Sequence, residues 1–140
     1  MEFEERIKIE ASPQIIYSLY SDVVNWNQWD KEVQYSELNG EFKSGSTGVL
    51  KPTRGPKSKI SITNVELNKS FTVTSKLPFC LVTFEHNLIE TKDATEVIHK
   101  VKFTGLTRYI FGSLIGKKIH RGLPITLNGL KDRAEKSVQQ

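Results

Sequence analysis

The sequence predicts an α+β fold: a curved antiparallel sheet of six or seven strands wrapped around one long C-terminal helix, with two short helices after strand one. Three observations carry that expectation. From Phe79 to Phe103, two runs rich in β-branched and aromatic residues flank the polar break Thr91-Lys92-Asp93-Ala94, which is the pattern of a long hairpin. After Gly105 the apolar period changes from strand-like to helical and stays so to the C-terminus. Between Ser12 and Asp30 two cap signals open short amphipathic segments. A sheet with one apolar face and a helix with an apolar stripe are expected to cover each other.

Each element follows from its residues. Phe3, Ile7 and Ile9 alternate with Glu4, Arg6, Lys8 and Glu10, giving a first strand over residues 2–10. Ser12-Pro13 supplies an N-cap and a first-turn proline, and Ile15, Ile16, Leu19 and Tyr20 form the stripe of a short helix. Ser21-Asp22 opens a second short helix toward Trp26 and Trp29-Asp30. Val33 and Tyr35 belong to a second strand, and Asn39-Gly40 marks a turn. Val49 to Lys51 is a short strand stopped by Pro52, with Arg54-Gly55-Pro56 as the next turn. Residues 57–67 form a strand with Ile60 and Ile62 on one face; the apolar parity changes after Asn64, so a bulge is expected there. Phe71, Val73 and Ser75 continue beyond the Asn68-Lys69 turn, and Leu77-Pro78 breaks the chain before the hairpin. The final helix carries Ile110, Phe111, Leu114, Ile115, Ile119, Leu123, Leu127, Leu130, Ala134 and Val138 as its apolar stripe, with a kink expected at Pro124.

The hairpin fixes its own register. A turn centred on Lys92 and Asp93 sets Glu85 across from Lys100 and Thr83 across from Lys102 on the wet face. The same register sets His86 opposite His99, Phe84 opposite Val101 and Val82 opposite Phe103 on the apolar face. A one-residue slip would turn one strand's apolar set into water. Two inward histidines, directly opposed, are the most chemically suggestive feature of the sequence.

Bulk properties narrow the function classes. The 140 residues are read as one domain, 1–140, long enough to bury a core. A net charge of +4 is mild, without the basic stripe of a dedicated nucleic-acid binder. The one cysteine, Cys80, cannot form an internal disulfide and reads as a small buried hydrophobe. The charged, alternating N-terminus is no signal peptide, and no apolar run is long enough to cross a membrane. A cytoplasmic protein is expected, with no nucleic-acid partner, no stable membrane insertion and no cofactor.

Several local motifs converge with this order of elements. They are Ala11-Ser12-Pro13, Trp26 with Trp29-Asp30, Gly48 to Pro52, Gly55-Pro56, Leu77-Pro78, Phe84-Glu85-His86, Thr95 with Val97 and His99, Ile115-Gly116, and Gly122-Leu123-Pro124. Together they resemble the helix-grip fold of the START and pollen-allergen superfamily, and its bacterial polyketide cyclase/dehydrase-like (SRPBCC) branch. The resemblance covers nearly the whole chain. It implies a hydrophobic small molecule, lipid-like or polyketide-like, held in a cavity between sheet and C-terminal helix, by a carrier or sensor. Some members of the superfamily cyclise or dehydrate polyketides.

On that basis the expected lining is Ile60, Ile62, Asn64, Val73, Ser75, Val82, Phe84, Val97, Val101 and Phe103, capped by Ile115, Ile119 and Leu123. His86 and His99 carry three readings. They act as acid and base of a cyclase or dehydrase, one neutral and one charged. They orient the polar end of a ligand. Or they satisfy each other, a water or a tyrosine hydroxyl such as that of Tyr35, and shape the core only. Asn64 and Ser75 are expected as further inward polar groups, opposite or near neighbours across the Asn68-Lys69 turn. Trp26 and Trp29 are expected to anchor the short helices against the sheet. No metal site is expected: His120 is the one further histidine, and it lies between Lys118 and Arg121. Lys117, Lys118 and Arg121 read as a solvated helix face, the other reading being contact with anionic headgroups during ligand exchange. A filled core would leave a third class, a module acting through its surface.

Overall fold

The computed structural model describes residues 1–139. Strand β1 (Glu2–Ile9) leads into helix α1 (Pro13–Ser21) and a 3-10 helix, Val23–Gln28. Strands β2 (Val33–Leu38), β3 (Thr47–Pro52), β4 (Ser58–Glu66), β5 (Ser70–Leu77), β6 (Cys80–Glu90) and β7 (Thr95–Thr104) follow, and helix α2 (Arg108–Val138) closes the described chain. The seven strands form one antiparallel sheet in the order β1-β7-β6-β5-β4-β3-β2.

Local chemistry explains the elements. The Ser12 hydroxyl accepts the Ile15 N–H at 3.3 Å, and Pro13 fills the first helical position of α1. The expected change of parity in β4 is a bulge: pairing with β5 shifts between Thr63 and Glu66, with Asn64 at φ +51°. The β6–β7 register is the one that charge and hydropathy demanded, with Glu85 paired to Lys100, His86 to His99, and Val82 to Phe103. Side chains refine it: Glu85 reaches diagonally to Lys102 at 3.3 Å, while Lys100 approaches Glu4 of β1 at 3.9 Å.

α2 runs as one helix through Pro124. It packs on β1, β7 and β6, and its C-terminal half closes on α1 and the loop after the 3-10 helix. The approach is tight: a Cβ at Gly129 would overlap the Trp29 carbonyl oxygen. The Thr126 hydroxyl donates to Asp30 at 2.9 Å beside it. One part of the expected stripe is corrected. Phe111, Ile115, Ile119, Leu123, Leu127, Leu130 and Ala134 face the protein, but Ile110, Leu114 and Val138 are exposed. Successive residues advance by about 100°, so Ile110 and Leu114 fall on the face that Lys117 and Arg121 share, turned away from the sheet.

Candidate functional site

The inward faces of β6 and β7 meet α1 at three polar side chains, Tyr20, His86 and His99. Tyr20 comes from the apolar stripe of α1 and is fully buried. Its hydroxyl lies 2.5 Å from Nε2 of His99. The two imidazoles stand edge to face with ring centroids 4.5 Å apart. His86 also stacks flat on Phe71, at 4.1 Å and 3°, and its Nδ1 lies 3.3 Å from the Phe71 carbonyl oxygen. Around this group Trp26 donates its indole N–H to the Tyr20 carbonyl at 2.9 Å, and the Trp29 ring meets the Tyr20 ring at 5.9 Å.

Burial sets the protonation states. Desolvation lowers His86 to about 4, outweighing the opposite pull of the Phe71 and Phe84 carbonyls. His99 is held well below its ordinary value, first by burial and then by the neighbouring His86. The Tyr20 phenol is pushed well up, by burial and by the charge of Asp30. Asp30 is itself raised by burial, although it accepts the Glu32 N–H and the Thr126 hydroxyl, each at 2.9 Å. Both imidazoles are therefore neutral at neutral pH, which replaces the expectation of one charged and one neutral ring. His86 retains accessible surface like a half-buried residue, yet it is walled by Phe71, Tyr20 and His99; these atoms, not its residual exposure, govern its desolvation.

The partners limit the tautomers. A carbonyl only accepts, so His86 carries its proton on Nδ1 and leaves Nε2 bare. The Tyr20 phenol either accepts an Nε2–H from His99 or donates to a bare Nε2, and in the second arrangement His99 carries its proton on Nδ1. With the phenol donating, the pair presents an acceptor at His86 Nε2 and a donor at His99 Nδ1 among apolar neighbours. The partner weighed in the sequence, Tyr35, is exposed on β2 and is not involved. The phenol that does the work was legible only as a member of the α1 stripe. A second phenol on that stripe, Tyr17, is buried with no hydrogen-bond partner for its hydroxyl, and sits edge-on to Phe71 at 6.2 Å.

No protein-family model matches the chain, and no curated protein matches it by sequence. Solved structures do match. A START superfamily protein from Mycobacterium smegmatis superposes with a TM-score of 0.78 at 15% identity, over 96% of this chain and 97% of that one. The chain has the START fold. Norcoclaurine synthase from Thalictrum flavum matches with a TM-score of 0.74 at 14% identity, over 100% of this chain and 87% of the enzyme. The di-domain ARO/CYC StfQ of the steffimycin biosynthetic pathway matches with a TM-score of 0.77 at 11% identity, over 99% of this chain and 52% of StfQ.

Within this START fold the expected lining separates into two packed groups. Ile60, Ile62, Val73 and Val97 gather with Phe71 and Tyr20 under α1 and the C-terminal half of α2. Val82, Val101, Phe103 and Leu123 gather with Ile115 and Ile119 under the first half of α2. Phe84 touches both groups, next to His86 on the same face of β6. Ser75 shares the Phe71 face of β5 but gives its hydroxyl to the Lys59 carbonyl at 3.1 Å. Asn64 is corrected: it is exposed in the β4 bulge, not opposite Ser75, whose partner across β6 is Val82. His120 lies outside, stacked on Phe3 at 4.7 Å with Nε2 3.5 Å from Glu5. Two surface clefts, of about 460 and 310 Å³, flank β1 and include neither His86 nor His99.

Proposed function

We propose that the protein binds a hydrophobic small molecule between sheet and α2, as carrier or sensor, with His86 and His99 anchoring its polar end. One observation carries the proposal: two imidazoles, His86 stacked on Phe71 and His99 bonded to Tyr20, meet edge to face at 4.5 Å in an otherwise apolar wall. A hydrogen bond from either imidazole to a ligand hydroxyl or carbonyl contributes about 0.5–1.5 kcal/mol net and fixes the ligand's orientation. Apolar burial supplies the rest, at roughly 25 cal/mol per Å² before ordering costs. The shared fold lends support, since one matching structure is a norcoclaurine synthase mutant in complex with a transition-state analogue. The seam between the two packed groups, at Phe84 and His86, is where such a molecule would part them.

Native mass spectrometry of the purified protein, followed by organic extraction, tests this. A stoichiometric hydrophobic adduct is expected, lost on Val101→Trp, which adds an indole between sheet and helix. Replacing His99 by Phe is expected to weaken a ligand with a polar end more than a purely apolar probe. No adduct, together with no binding of a fluorescent apolar probe, would sink the proposal and favour a surface-acting module with a filled core.

The same geometry supports a second reading, a cyclase or dehydrase step in which His86 Nε2 takes a proton from the substrate and, as the imidazolium, returns it to the substrate's departing or forming hydroxyl, with the His99–Tyr20 pair holding His86 in place. The lowered His86 moves the acid-side limb of the rate profile, where the base is lost to protonation, from near neutrality to about pH 4. Turnover of the extracted compound, abolished in folded His86→Ala, would support it; a compound recovered unchanged would argue against it.

A further inference from the structure

The first half of α2 is apolar on both sides. Its inner residues meet the sheet, while Ile110 and Leu114 point outward. Leu106 and Tyr109 at the start of the helix are exposed as well, and so is Phe79 on the β5–β6 tip, which the Thr107 N–H ties to the helix start by donating to the Phe79 carbonyl at 3.2 Å. These five side chains are 58–85% exposed. Phe79 holds φ at +56°, a conformation uncommon for an aromatic residue and one that other parts of a structure must sustain. Neighbouring exposed apolar groups of this kind mark a surface that is covered in use.

The charges that this stretch of the helix itself carries are of one sign. Arg108 lies over the Tyr109 ring at 4.6 Å, and Lys117, Lys118 and Arg121 follow in the next turns. No Asp or Glu occurs between Glu96 and Asp132. Beside the patch, Lys117, His120 and Arg121 line the cleft of about 310 Å³; its one acid, Glu5, approaches His120. A second copy docked face to face would set these cations against their own duplicates. A nucleic acid would leave the apolar residues without a partner. An anionic phospholipid surface suits both halves: headgroup phosphates meet the cations, and the apolar side chains enter the acyl boundary.

We infer that the outer face of α2, from Leu106 to Arg121 and with Phe79, docks the protein on anionic membrane surfaces. It lies there without crossing, since no helix of the described residues is long and apolar enough to span a membrane. The docking face is separate from the histidine pair and does not rest on the ligand proposal; ligand-free protein and bare vesicles suffice to test it.

The test is co-sedimentation of the full chain with vesicles of phosphatidylcholine alone or mixed with phosphatidylglycerol, at low and high salt. Partitioning is expected only with phosphatidylglycerol, and to weaken with salt. Lys117→Ala and Arg121→Ala should each lower it about fivefold. Leu114→Asp should lower it about tenfold or more. Leu67→Asp, at an equally exposed leucine on the β4–β5 turn at the opposite end of the strands, should leave it unchanged. Circular dichroism melts establish that each variant is folded. Absence of phosphatidylglycerol-dependent partitioning overturns the inference. So does a monomer–dimer equilibrium in light scattering that Leu114→Asp abolishes, because a second copy would then be what covers the face.

Discussion

At the scale of single residues, the centre of the molecule is a phenol bonded to an imidazole. Tyr20→Phe keeps the ring in its place among Phe71, Trp29 and His86 but leaves Nε2 of His99 without a partner. A loss of about 1–3 kcal/mol in urea unfolding is expected; an unchanged midpoint would show that the contact contributes nothing. His86 makes stability depend on pH in a defined window. Its ordinary value is 6.5 and its folded value about 4, so between these the unfolded chain holds the extra proton. The stability it contributes is complete above about pH 6.5 and is lost as pH falls toward 4. The loss is on the order of 3 kcal/mol, in the same direction as that from His99. Unfolding free energies at pH 7 and pH 5 should diverge in the native protein, and the gap should narrow in His86→Phe to the part that His99 sustains. The histidine pair was legible because strand parity and a charged turn fix register. Its partner was not: nothing local to α1 says which strand residue a stripe tyrosine will meet.

At the scale of elements, α2 is locked where it passes the loop after the 3-10 helix. Gly129 leaves room for the Trp29 carbonyl, and Thr126 bonds the buried Asp30. Gly129→Ala raises helix propensity by about 1 kcal/mol, but the clash is with backbone and cannot relax by a rotamer change. Net destabilisation of about 1–3 kcal/mol is expected in thermal melts; a stabilised variant would show that the helix stands further from the loop. The elements themselves were legible from caps, turn residues and period, including the bulge after Asn64. The outer face of α2 was not. Ile110 and Leu114 satisfy a helical period as well as Phe111 and Ile115 do, and periodicity alone does not say which of two apolar faces the sheet will take. Nor does it give depth: Asn64 shares the parity of Ile60 and Ile62 but sits in the bulge, exposed.

At the scale of the whole molecule, the sheet and α2 close on each other through two packed groups that meet at Phe84. A molecule held between them binds the folded state alone, so occupancy should raise the melting temperature by mass action. Protein stripped by organic extraction and refolded should melt lower than protein as purified, and re-addition of the extract should restore the difference. Val101→Trp should melt alike with and without extract; a melt that still responds would place the ligand elsewhere. The order of elements and their motifs made this architecture legible, because a one-faced sheet and a striped helix have few ways to cover each other. How tightly the two would close depends on side-chain volumes summed across strands distant in sequence, which no local pattern reports. The chain's two tryptophans are the neighbours that hold Tyr20, one through its carbonyl and one through its ring. The histidine network therefore carries its own lamp: any guest or proton that shifts the phenol alters both indoles together, and unlabelled protein will signal the event in the colour and brightness of its own emission.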